Sequence, residues 1–104
     1  MIQYRFYKDN GTIQNVHVEG HALFGSHGTD IVCSAVSTAL IMTANAIEIL
    51  GFKKQFKVKI ESGFFELNVI KSNDTIEGLL KNLEYTMNEL ETQYKTYIKN
   101  QKEG

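Results

Sequence analysis

The hydrophobic and polar positions of this chain predict two hairpins, each followed by a helix. Ile2, Tyr4 and Phe6 alternate with Gln3, Arg5 and Tyr7, the period-two pattern of a half-buried strand. Asp9-Asn10-Gly11 is a turn signal, and a second strand is expected from Thr12 to about Glu19. Ile13 is out of phase with Val16 and Val18, which a β-bulge would explain. Residues 22–29 form a loop. Val32, Val36, Leu40, Ile47 and Leu50 then recur every three or four positions, predicting a helix from Ile31 to Leu50 with Gly51 as its C-cap. Few residues on it are charged before Glu48, so most of its circumference is expected to be buried, against the sheet on one side and another helix or a second subunit on the other.

The second half repeats the order of elements without repeating the sequence. Phe56, Val58 and Ile60 alternate with Lys57 and Lys59, Glu61-Ser62-Gly63 makes the turn, and Phe65, Leu67 and Val69 follow on the next strand. Asp74 with Glu77 resembles a capping box. A single stripe then runs through Ile76, Leu80, Leu83, Met87, Leu90, Tyr94 and Ile98, predicting a helix that frays near Lys99 into a short polar tail. The expected fold is one α+β domain over residues 1–104, of order ββαββα, with a four-stranded antiparallel sheet and two helices.

Composition narrows the classes of function. A net charge of −1 gives no sign of direct nucleic-acid binding. The uncharged run from Ile31 to Ile47 is too short and too polar to predict a membrane span. The opening MIQYRFYKDNG does not read as a signal peptide, and a single cysteine excludes an internal disulfide, so a cytoplasmic setting is expected. Lys53, Lys54, Lys57 and Lys59 form a basic cluster, read as a solvated face.

The candidate chemistry lies between Gly20 and Ser37, GHALFGSHGTDIVCSAVS. If Asp30 or Thr29 caps the helix, Cys33 falls in its first turn, where backbone N–H groups and the helix dipole favour a thiolate nucleophile. His21, across the loop, is the candidate base. Taken alone, a free cysteine is more often a buried, inert thiol. Asp30 reads equally as a cap or as a group that holds His21 or the loop in place. Ser37, one helical turn after Cys33, can reach the site or merely permit close packing. A zinc site of His21, His27, Asp30 and Cys33 has acceptable ligand types but lacks paired spacing, so no metal or other cofactor is expected. Leu23, Phe24, Gly25 and Gly28 suggest a loop that moves and closes apolar area over a bulky substrate side chain. A binding module that presents the loop to an anion or RNA, or an inert assembly factor, stays open on these residues alone.

Gly20-His21-Ala22, then Gly28, then Asp30-Ile31-Val32-Cys33 and Ala35-Val36-Ser37 resemble the signature of the ribosomal-processing cysteine protease family, Prp. Length and element order are similar over essentially the whole chain. Ser34 departs from the pattern, where a small apolar residue is expected, and should point away from the site. The resemblance implies a Cys–His endopeptidase with Cys33 as nucleophile, His21 as base, and Asp30 and Ser37 in support. It implies a homodimer whose substrate is the N-terminal extension of large-subunit ribosomal protein twenty-seven, cut between paired aromatics and a small residue.

Overall fold

The computed structural model describes residues 1–26 and 28–101. Strands β1 (Ile2–Asp9) and β2 (Thr12–Glu19) pair antiparallel. The turn between them is Asn10-Gly11, with φ of 53° and 78°. Lys8 faces Ile13 while Tyr7 faces Asn15, so Gln14 is the extra residue of a bulge. The bulge shifts the phase, and Ile13, Val16 and Val18 are all buried. It also frees the Ile13 N–H, which donates to Glu77 Oε1 at 3.1 Å. The out-of-phase isoleucine in the sequence was therefore the mark of this bulge.

Helix α1 (Ile31–Ile47) continues through a wide π-type turn, Glu48–Phe52, and a short 3₁₀ turn, Lys53–Gln55. Gly51, at φ 98°, breaks the helical path where a C-cap was expected. Strands β3 (Phe56–Glu61) and β4 (Phe64–Val69) form the second hairpin, and α2 spans Asp74–Gln93. Strand β4 pairs with β2, which leaves β3 at one edge. One core joins Tyr4, Val16, Phe65 and Leu67 of the sheet to Val32, Val36 and Leu40 of α1 and Ile76, Leu80 and Leu83 of α2. Both helices thus cover the same sheet face. Each fully buried Val, Leu or Ile contributes about 1.5–3 kcal/mol, which fixes the position of α1 through its inner face.

The sheet has five strands and is mixed, which corrects the expectation of four antiparallel strands. Helix α2 ends at Gln93, and Ile98–Asn100 forms β5, parallel to β1 at the other edge, in the order β3-β4-β2-β1-β5. Tyr94 and Ile98 fit the helical stripe, but the backbone serves β1 better: Ile2 N–H donates to Tyr97 O at 2.8 Å and Gln101 N–H to Tyr4 O at 2.7 Å. Glu91 completes the clamp. Its carboxylate accepts from the Tyr4 hydroxyl at 2.8 Å and the Asn100 N–H at 2.9 Å. Burial, then the Glu91 carboxylate, pushes the Tyr4 phenol far above its ordinary range, so it remains a donor.

One smaller expectation also changes, and a second is met by this chain only on one side. The α2 cap is Asn73, which accepts the Ile76 N–H at 2.9 Å, and Glu77 serves the bulge instead of closing a capping box at Asp74. Helix α1 buries only one face, through Val32, Val36, Leu40, Ala44 and Ile47. Its other side and the turn after it expose Ile41, Met42, Ile49 and Leu50, with Met42 at 69% and Ile49 at 82%. The sequence showed that this helix lacks charge, but lack of charge does not supply a cover. By length and composition Ile31–Gln55 would suffice to cross a membrane, yet its inner face is part of the core.

Candidate active site

The site forms where β2 ends, the loop crosses, and α1 begins. Asp30 is the N-cap of α1 and is 5% exposed. Its Oδ1 accepts the N–H groups of Val32 and Cys33, both at 3.0 Å, and so ends the helix as a cap should. Its Oδ2 accepts from Phe24 at 2.8 Å and Gly25 at 3.1 Å, which ties the loop to the same carboxylate. Asp30 is therefore both cap and loop anchor. Desolvation alone would raise its pKa. The N–H groups of Cys33, Gly25, Phe24 and Val32 together outweigh it and hold the carboxyl below its ordinary range.

Cys33 lies in the first turn of α1 and is half-buried. Its Sγ accepts the N–H of Ala22 at 3.3 Å. Ala22 is itself buried, so the residue directly after His21 is fastened between the core and the sulfur. That bond fixes Sγ at the start of α1, facing the residue that follows His21. His21 is exposed at the strand end, and its ring lies on Gly63 of the β3–β4 turn. The Gly20 N–H donates to Gly63 O at 2.9 Å beside it.

Two clefts meet at this point, and His21, Cys33 and Ser37 line both. The inner cleft, about 210 Å³, is walled by apolar side chains including Val36, Ile41, Ile60 and Phe65. The outer cleft, about 430 Å³, runs under the loop past Leu23, Gly25, Gly28, Asp30 and Ser34. Ser34 thus lines the site's outer side, where it was expected to point away. It follows Cys33 on an exposed part of the first turn.

Phe24 also departs from expectation. It lines neither cleft and docks edge-on against Tyr97 and Tyr94, at centroid distances of 5.1 and 6.0 Å. Leu23 borders the outer cleft with its side chain 77% exposed and a left-handed backbone, φ 59°. The apolar surface at the site comes instead from α1 and the β3–β4 hairpin, which no local motif announced. His17 contacts Glu66 at 3.3 Å and the Phe64 ring edge-on at 5.3 Å, and it lines neither cleft. His27 lies outside the described residues, and with it the fourth member of the alternative zinc set. Among the described residues no three His, Cys, Asp or Glu side chains group to hold a metal ion. The Asp30 oxygens are already engaged by backbone N–H groups. Lys53, Lys54, Lys57 and Lys59 are exposed, as a solvated face requires.

A cysteine at a helix start, beside a histidine and over a cleft, defines a cysteine peptidase of a small α+β type. The family model for cysteine protease Prp matches residues 1–99, and the chain belongs to that family. It is 28% identical over 93 residues to the ribosomal processing cysteine protease Prp of Staphylococcus aureus (88% of each chain). To the Bacillus subtilis protein of the same description it is 30% identical over 82 residues, covering 69% of this chain and 73% of that one. The fold matches a solved structure of the essential S. aureus protease in complex with a covalently linked product peptide. The TM-score is 0.87 at 27% identity, covering 96% of this chain and 97% of that one. The protein is a cysteine protease.

Proposed function

We propose that this protein removes the N-terminal extension of large-subunit ribosomal protein twenty-seven, with Cys33 as nucleophile and His21 as general base. The observation that carries the assignment is the Ala22 N–H on Cys33 Sγ, which holds the residue next to His21 against the sulfur. Sγ attacks the scissile carbonyl carbon while its proton passes to His21. The C–N bond breaks as His21 hands that proton to the leaving amine, and a thioester remains on Cys33. Water then attacks the thioester, His21 takes its proton, and the C–S bond breaks to release the acid and restore the thiol. Asp30 works at one remove, holding the first turn of α1 and the loop in one arrangement. Ser37 borders the reacting sulfur on both cleft sides.

The linings of the two clefts support the expected cleavage preference. An apolar wall suits a bulky aromatic before the cut, and the outer cleft, lined by Gly25, Gly28 and Ser34, suits a small residue after it. The hairpin and α1 then read the aromatic, while the loop covers the other side. We propose further that the protein works as a cytosolic homodimer, with the exposed apolar side of α1 as the surface it covers. Sedimentation at micromolar concentration is expected to give twice the chain mass.

The direct test is to incubate the protein with the precursor of that ribosomal protein from the same organism and weigh the products. Loss of the extension at a single bond is the expected result. A folded wild-type enzyme that leaves the precursor intact refutes the substrate assignment.

A further inference from the structure

We propose that Gly63, at the turn between β3 and β4, is a positioning residue that seats the His21 imidazole for catalysis. The proposal rests on His21 being the base, and it concerns a residue forty-two positions away on a different hairpin. A Cβ on residue 63 would stand 2.6 Å from His21 Nε2, 3.0 Å from Cε1 and 3.3 Å from Cδ2. Those are the ring's own atoms, so the imidazole occupies the volume that any other residue's side chain would claim. Gly63 also has φ 70°, a left-handed backbone conformation that residues with a side chain rarely adopt. Its carbonyl accepts the Gly20 N–H at 2.9 Å, which fixes the backbone one residue before the base.

The three features act on one side chain from two directions. The hydrogen bond sets where the His21 Cα enters the site, and the bare Gly63 Cα gives the ring a floor. Gly20 itself has no room for a side chain, because a Cβ there would overlap the Met1 carbonyl oxygen. The backbone before His21 is therefore held close to both Met1 and Gly63, which opposes backing the strand away from a larger residue 63. A methyl group at 63 must instead turn the imidazole out of the seat, changing its distance and angle to Cys33. The same turn lines the inner cleft, so substrate binding and base placement share one wall.

The test separates this seat from ordinary turn chemistry. Gly11 has φ 78° in the other hairpin, and a Cβ there meets nothing within 4 Å. Gly11→Ala therefore carries the backbone strain without the collision. The variants Gly63→Ala, Gly63→Asn, Gly11→Ala and His21→Ala are compared for melting temperature, kcat, KM and the pH dependence of Cys33 alkylation by iodoacetamide. Asn tolerates positive φ, which keeps a folded variant in hand that still has a Cβ. Gly63→Ala and Gly63→Asn are expected to lower kcat about 100-fold, the scale of an ångström's misplacement, with the loss falling more on kcat than on KM. Their alkylation profiles should move to that of His21→Ala, while Gly11→Ala lowers the melting temperature alone. Wild-type kcat and alkylation in folded Gly63→Asn, with His21→Ala inactive, overturns the seat and leaves the base intact. An active His21→Ala overturns the base assignment itself.

Discussion

The two hairpin turns of this molecule are built alike and used differently. Each has two residues, each ends on a glycine of positive φ, and each joins strands of the same sheet. Around Gly11 there is open space, and the turn only reverses the chain. Around Gly63 there is the ring of His21 and the backbone of Gly20, and the turn is a wall of the active site. The local chemistry of a turn therefore states its shape and says nothing of its task. What differs is the strand behind it: β2 lies next to β4, so the end of β2 reaches the β3–β4 turn.

That comparison has force only if the ring over the second turn does chemistry. Cys33→Ala is expected to lower kcat/KM for the precursor by at least about a thousandfold, and His21→Ala by about 10²–10⁴, the range of general acid–base catalysis. His17→Ala should keep wild-type turnover, because His17 borders neither cleft. Peptide hydrolysis assays on the three variants check this, and full activity of Cys33→Ala would remove the peptidase mechanism altogether.

The comparison is sharpened by lengthening each turn. Two glycines inserted after Asn10 or after Ser62 double a two-residue loop, which costs each hairpin about 0.6 kcal/mol. Urea titration should find the two proteins similarly destabilised. Turnover should fall about tenfold or more only for the insertion after Ser62, because only that turn places the base. Equal turnover would mean that the second turn is as free of function as the first.

The smallest expected effect concerns the loop that leads from His21 to the cysteine. Asp30 titrates below the ordinary carboxylate value, so its contribution to stability is complete above about pH 4. It is lost as the pH falls through the lower folded value. Asn in its place keeps one accepting oxygen, enough for the helix N–H groups of Val32 and Cys33 but not also for Phe24 and Gly25. The melting-temperature gap between wild type and Asp30→Asn should stay constant from pH 7 to about 5 and shrink in stronger acid. A gap unchanged to pH 2 would show that the charge on Asp30 does not hold the loop.

Much of this was legible in the chain because the signals were local. Alternation placed four strands, an isoleucine out of phase marked the bulge, and a short motif brought His21, Asp30, Cys33 and Ser37 to one helix start. Strand β5 was not legible, since Tyr94 and Ile98 continue the α2 stripe with the right spacing and no Gly or Pro interrupts them. Their destination was decided by the free edge of β1. The packing of Phe24 was not legible for a similar reason: an exposed aromatic near a nucleophile reads as a substrate contact, and its ring contacts with Tyr94 and Tyr97 come from a distant part of the chain. Gly63 gave no sign beyond its turn, because what makes it matter is a ring from another hairpin.

The parallel pairing of β5 with β1 also has a consequence for how the chain reaches its fold. Ile2 and Ile98 meet across nearly the whole described sequence, so their contact closes a very long loop and carries a large entropic cost until everything between is ordered. The sheet can assemble from its two hairpins first, with β1 left as an open edge of unpaired N–H and C=O groups. Such an edge is a template for another chain's strand. During synthesis it stays open until the last strand emerges. β5, only three residues long, thus acts as a late stopper on that border of the young protein.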